Sequence, residues 1–164
     1  MGTPGSAVGG PVGVAGAAAI GQDGGAETDR PEERAAMADD EKPIRRLERE
    51  KKPAPSQWFV GNVEIEAIHG NAEIGLNQGR VHFHDGARTK WHIHLGDQVL
   101  YFVAGKGMAE DHGGTRIECD PGDIVHVPQG TRHIHGAQPG HDATHIAITH
   151  GAAIWEDDPE FPKD

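Results

Sequence analysis

A chain of 164 residues carrying 26 Asp and Glu against 15 Lys and Arg, net −11 at pH 7, has room for one domain of ordinary size. From Ser56 onward the balance is sixteen acids to seven bases, a surface that repels phosphate backbones and argues against nucleic acid as a partner. All twelve histidines lie between His69 and His150, which assigns them to the folded part.

Residues 1 to 25 hold nine glycines and a single charge, Asp23, with no apolar period of either kind. Glu27 to Lys52 then mix acids with bases and offer few apolar residues to dock. Residues 1–55 are therefore expected to be a disordered tail and 56–164 the domain. The run "PVGVAGAAAIG" is short, broken by glycine and has no basic residue before it, which argues against a secretory signal or a membrane span. A soluble, cytoplasmic protein is expected, and Met37 offers an alternative start. The lone Cys119 has no internal disulfide partner, fits a reducing compartment and reads as a packed thiol.

Beyond Trp58 no window has helical periodicity, and short alternating runs recur between glycine and proline turns. The strands expected in chain order are "WFVGNVEIEAI", "GRVHFH", "TKWHIHL", "QVLYFVAG", "GMAED", "TRIECD", "DIVHVP", "RHIHGA", "ATHIAITH" and a short one near Ile154. "DHGGT" makes a hairpin loop, and "DPGD" and "PQGT" are turns of the Pro-Gly type. The domain is expected to be all-β, a sandwich or small closed barrel around a pocket.

Residues two apart on a strand share a face, so His92 and His94 point together. A lone His-x-His is weak evidence, since such pairs are often surface or hydrogen-bonded residues. Gln98 opens the next strand and offers a hard amide oxygen, while His133 follows the "PQG" turn and could complete a set. Three imidazoles and a carbonyl oxygen suit a divalent first-row metal with open positions. Val81, Phe83, Leu100 and Phe102 alternate with outward-facing neighbours and are expected to wall the pocket or to be plain core, while His82 and His84 face away and read as structural.

Gly86, five residues, His92-Ile93-His94, three residues, Gln98, six residues and Gly105 resemble the first cupin motif, with Gln in place of the usual Glu. Gly122, five residues, Pro128-Gln129-Gly130, two residues and His133 resemble the second, with Ala137 where Asn closes it. The resemblance implies an antiparallel jelly-roll barrel with a metal at its centre. The stretches "GARTKWHIH", "PGD", "HIHGAQP" and "THIAI" are also similar to the small bacterial manganese cupins with hydroxynitrile lyase activity. That likeness implies His92, His94, Gln98 and His133 as ligands, manganese as the metal and His145 as a histidine near it; iron, nickel or zinc also accept this ligand set. His135 lies two residues beyond a ligand on the same strand face, and His135 and His145 are candidate bases or else hydrogen-bonded barrel histidines. Lys90 departs from those relatives; it shares the expected facing of His92 and is carried as a third candidate catalytic residue.

A glutamine in place of a carboxylate leaves a divalent ion at +2 rather than +1, which favours Lewis-acid work on a carbonyl or alkoxide over ferric oxygen chemistry. The expected function is a metal-dependent lyase acting on a small hydroxy or carbonyl compound. A non-haem dioxygenase, a polyketide cyclase-type cupin and a non-catalytic ligand-binding cupin are the alternatives. A small-molecule substrate, no membrane partner and a homodimer or higher homo-oligomer, paired through an outer sheet that includes "VEIEAI", complete the expectations.

Overall fold

Period-two alternation becomes eleven strands in the computed structural model, which describes residues 44–163. These are β1 (Lys51–Pro53), β2 (Phe59–Asn71), β3 (Leu76–Thr89), β4 (His92–His94), β5 (Gln98–Gly105), β6 (Gly107–Asp111), β7 (Arg116–Cys119), β8 (Ile124–Val127), β9 (His133–Ala137), β10 (Ala143–His150) and β11 (Ala153–Trp155). The disorder expected of the tail as far as residue 43, and the alternative start at Met37, lie outside the described residues. β1, on the tail side of the boundary expected at residue 55, pairs with β2.

Every pairing is antiparallel, and the strands follow the order β11-β4-β9-β3-β10-β5-β8, with β1 and β2 joined on β3 and β6 and β7 on β9. The sheet curls on itself as the expected antiparallel barrel. A 3-10 turn at Ala72–Ile74 links β2 to β3; Asn71 caps it by accepting from the Glu73 amide at 3.0 Å. Among the described residues no helix is long and apolar enough to cross a membrane.

One expected strand is divided. β3 continues through Asp85 and Gly86, which take φ of 50° and 77°, and ends only at Thr89. The chain then breaks at Lys90 and Trp91 before β4 begins, so "TKWHIHL" is not one strand and Lys90 does not inherit the facing of His92.

Inward positions form two apolar clusters. Val63, Val81, Phe83, Ala87, Ala137 and Ala143 pack under β2 and β3. Leu100, Phe102, Ala109, Cys119, Val125 and Val127 pack under β5 and β8. Full burial of a Phe or Leu side chain contributes roughly 1.5–3 kcal/mol, so these clusters hold the barrel closed. Cys119 is packed as expected, and burial pushes its thiol up to about 11. β9 lies so close to β3 that a Cβ at Gly136 would meet the Ala87 carbonyl and the Arg88 Cα at 2.5 Å.

Candidate metal centre

The β4–β9 register sets His92 directly across from His133, and the two rings lie 4.2 Å apart. His94 and His135 follow two residues along their strands on the same faces. Their rings stand 4.9 Å and 5.3 Å from that of His92. One ring nitrogen from each of His92, His133 and His135 lies within 4.8 Å of the other two, so His135 stands as close to the point of convergence as the expected ligands do. His94 joins the group with both ring nitrogens buried and unpartnered. Gln98 enters from the start of β5, and its Oε1 lies 3.0 Å from His133 Nε2.

Local hydrogen bonds set the chemistry of these atoms. His92 Nδ1 lies 2.9 Å from the Lys90 carbonyl and His133 Nδ1 2.8 Å from the Thr131 carbonyl. A carbonyl can only accept, so each Nδ1 carries the proton and each Nε2 is left with a lone pair. The Gln98 amide donates to Thr149 Oγ1, its cross-strand partner, at 3.0 Å, which turns Oε1 toward His133. Two acceptors then face each other inside the barrel. A cation resolves that opposition: donor atoms ~2.1 Å from an ion and at right angles to each other stand about 3.0 Å apart. With the orphaned nitrogens of His94, the donor set fits a divalent metal with imidazole and amide ligands.

Burial is the main cause that pushes all the clustered imidazoles below their ordinary range. His94 falls to about 4 and His145 to about 3. His133 is lowered, and His92 and His135 lie well below 6.5, with neighbouring imidazoles opposing any added charge on the latter two. Near neutral pH the cluster therefore presents uncharged lone pairs.

Behind the cluster His145 Nε2 meets His135 Nδ1 at 2.9 Å. His145 is wedged between Phe83 at 5.2 Å and Phe102 at 5.3 Å, bridging the two apolar clusters. The His135 backbone amide donates to Thr89 Oγ1 at 3.0 Å, fixing the start of the ring. His135 faces a cavity of about 530 Å³, whereas His145 stands behind it.

That cavity is lined by His92, His94, Gln98 and His135, by the polar Asn77, Gln78 and Thr149, and by Trp58, Phe59, Ile65, Val81, Ala147 and Trp155. Among the described residues no lysine or arginine lines it, and Asp158 is its one carboxylate. Of the four expected wall residues only Val81 reaches it. Phe83, Leu100 and Phe102 are filled-in core, because the adjoining strands pack directly onto them. Lys90 is outside as well: released by the strand break, its Nζ pairs with Asp157 Oδ2 at 2.6 Å, and only its backbone carbonyl serves the centre. Thr89, Thr149, Trp58, Phe59 and Trp155 were not anticipated; Thr149 alone had a signal, being in phase with His145 on β10.

Residues 79–149 match the cupin domain family. The (R)-mandelonitrile lyase of Granulicella tundricola is 42% identical over 95 residues, 57% of this chain and 72% of that protein. The chain is a cupin. A cupin-like protein of Thermotoga maritima, known from its crystal structure, superposes with a TM-score of 0.62 at 33% identity, over 66% of this cupin and 86% of that chain. The acireductone dioxygenase of a Picosynechococcus species is 35% identical over 68 residues, and the cupin spans 39% of that relative's length.

Proposed function

We propose that this cupin is a metal-dependent lyase that cleaves and forms cyanohydrins of small neutral aldehydes, with a divalent ion, manganese in particular, held by His92, His94, Gln98 and His133. Gln98 carries the reading, because its neutral oxygen is aimed at the lone pair of a neutral imidazole and so brings no negative charge to the ligand set. When bound, a divalent ion in such a set supplies Lewis-acid stabilisation of a developing carbonyl or alkoxide oxygen. The 42% identity to a protein named (R)-mandelonitrile lyase supports the reaction class.

The chain's own groups supply the rest. A cavity lined by aromatic, aliphatic and neutral amide groups, with no lysine or arginine among the described residues, suits an uncharged substrate. His135, held by His145 through Nδ1, is placed to take the hydroxyl proton as the carbon–carbon bond breaks. The carbonyl forms, cyanide departs with the bonding electron pair, and the proton is returned to it as HCN. Burial keeps His135 neutral before the reaction, and the departing anion offsets the charge it gains during it.

The experiment is metal analysis of protein purified without chelators, followed by mandelonitrile cleavage with manganese-, iron-, nickel- and zinc-loaded samples. Benzaldehyde release that chelation abolishes is expected. No turnover with any metal would sink the lyase reading, and oxygen uptake by the iron-loaded protein in its place would assign it to the dioxygenases.

A further inference from the structure

The aromatic wall of the cavity is joined to the metal centre by a column of rings. β11 pairs with β4 in a register that puts Trp155 directly across from His92, and residues opposite each other on antiparallel strands share a face. The Trp155 ring accordingly lies 4.5 Å from that of His92 with 27° between the planes. Trp58 stacks on Trp155 at 5.5 Å and 8°, and Phe59 closes the side of the column at 6.0 Å.

Among the described residues, His92 has one polar restraint, the bond from Nδ1 to the Lys90 carbonyl. A single bond at one ring atom leaves the tilt of the imidazole to be set by the rings packed on it. His94, His133 and His135 meet it at 86°, 49° and 74°, and Trp155, at 27°, is the most nearly parallel of the four. The segment carrying this ring is itself pinned: the Glu156 amide donates to the Trp91 carbonyl at 3.0 Å, and Asp157 pairs with Lys90 at 2.6 Å. Further on, the Arg132 guanidinium lies 5.1 Å from the Phe161 ring and donates to the Pro162 carbonyl.

We infer that Trp155 is a positioning residue for the ligand His92, and that residues 153–162 form the strap that holds its indole in place. The inference rests on the metal reading above. Groups that orient a ligating histidine typically change metal affinity by ~10–100-fold when removed. A purely structural tryptophan would change folding stability without changing the ligand field.

The test uses full-length wild type, Trp155→Phe and Trp155→Leu, with Trp155→Ala as a fourth sample. Leu keeps apolar bulk without a flat face; Phe keeps the face. Each apoprotein is titrated with Co(II), following the heat of binding and the visible d–d spectrum, and its melting temperature is measured without metal. Trp155→Leu is expected to bind Co(II) roughly tenfold more weakly with an altered spectrum, and Trp155→Phe to restore affinity to within about threefold of wild type. Wild-type affinity and spectrum in Trp155→Leu would overturn the inference and leave the metal reading intact. Absence of Co(II) binding by the wild type would overturn both. If Trp155→Ala fails to fold, the Phe and Leu pair decides the question.

Discussion

A carboxylate at position 98 would bring a full negative charge to the point where Gln98 Oε1 now stands, 3.0 Å from His133 Nε2. Gln98→Glu is therefore expected to retain divalent metal at least as well as the wild type, since Coulomb attraction is added, while stabilising an alkoxide less. In the mandelonitrile assay the rate should fall by about tenfold or more, which needs only about 1.4 kcal/mol of lost transition-state stabilisation. Metal content and initial rate measured on the same sample check it. Full metal with an undiminished rate would show that the neutral ligand is incidental. Position 98 was legible in the sequence because it opens a strand and falls where the first cupin motif, which this sequence resembles, places a ligand, with three residues between it and His94. The hydrogen bond that aims it was not, since Thr149 lies 51 residues away and meets Gln98 only through the β5–β10 register.

At the level of strands, alternation located nearly every element, and the histidines on β4 and β9 came together because period-two facing is a local property. Lys90 shows where that reasoning stops: facing carries along a strand only while the strand lasts, and β3 ends one residue before it. Alternation also cannot separate a residue that packs against another strand from one that borders empty space. Phe83, Leu100 and Phe102 point inward as expected, yet the cavity wall comes from Trp58 and Trp155, near the two ends of the described chain. The close seat of β9 on β3 gives this scale its own test. A Cβ at Gly136 would press on backbone atoms of Ala87 and Arg88, which cannot rotate away, so Gly136→Ala should cost about 1–3 kcal/mol. Urea unfolding reads this directly; a midpoint unchanged from wild type would mean that the two strands separate easily.

Across the whole molecule the five buried imidazoles link folding to pH. In the unfolded chain each titrates near ~6.5, whereas in the folded apoprotein His94 does so at about 4, His145 at about 3, and His92, His133 and His135 below their ordinary value. Between these limits the unfolded chain binds more protons, so stability is fully present above about pH 6.5 and is lost as pH falls toward the folded values. Each group removes up to about 1.4 kcal/mol per pH unit over that interval. The melting temperature of the chelated protein is expected to drop steadily from pH 7 to pH 5; a flat profile would contradict the burial of neutral rings.

The same lone pairs that refuse protons are those offered to the metal. In a site built from surface histidines, hydrogen ions compete with the metal as soon as the medium is mildly acidic. Here the folded protein has already excluded that competitor: His94 stays uncharged down to about 4, and the other proposed imidazole ligands are also held below their ordinary range. Protonation of a ligand should therefore displace the ion only at a lower pH than at exposed histidine sites, and the intact centre should remain loaded through a pH range in which those sites exchange their metal freely.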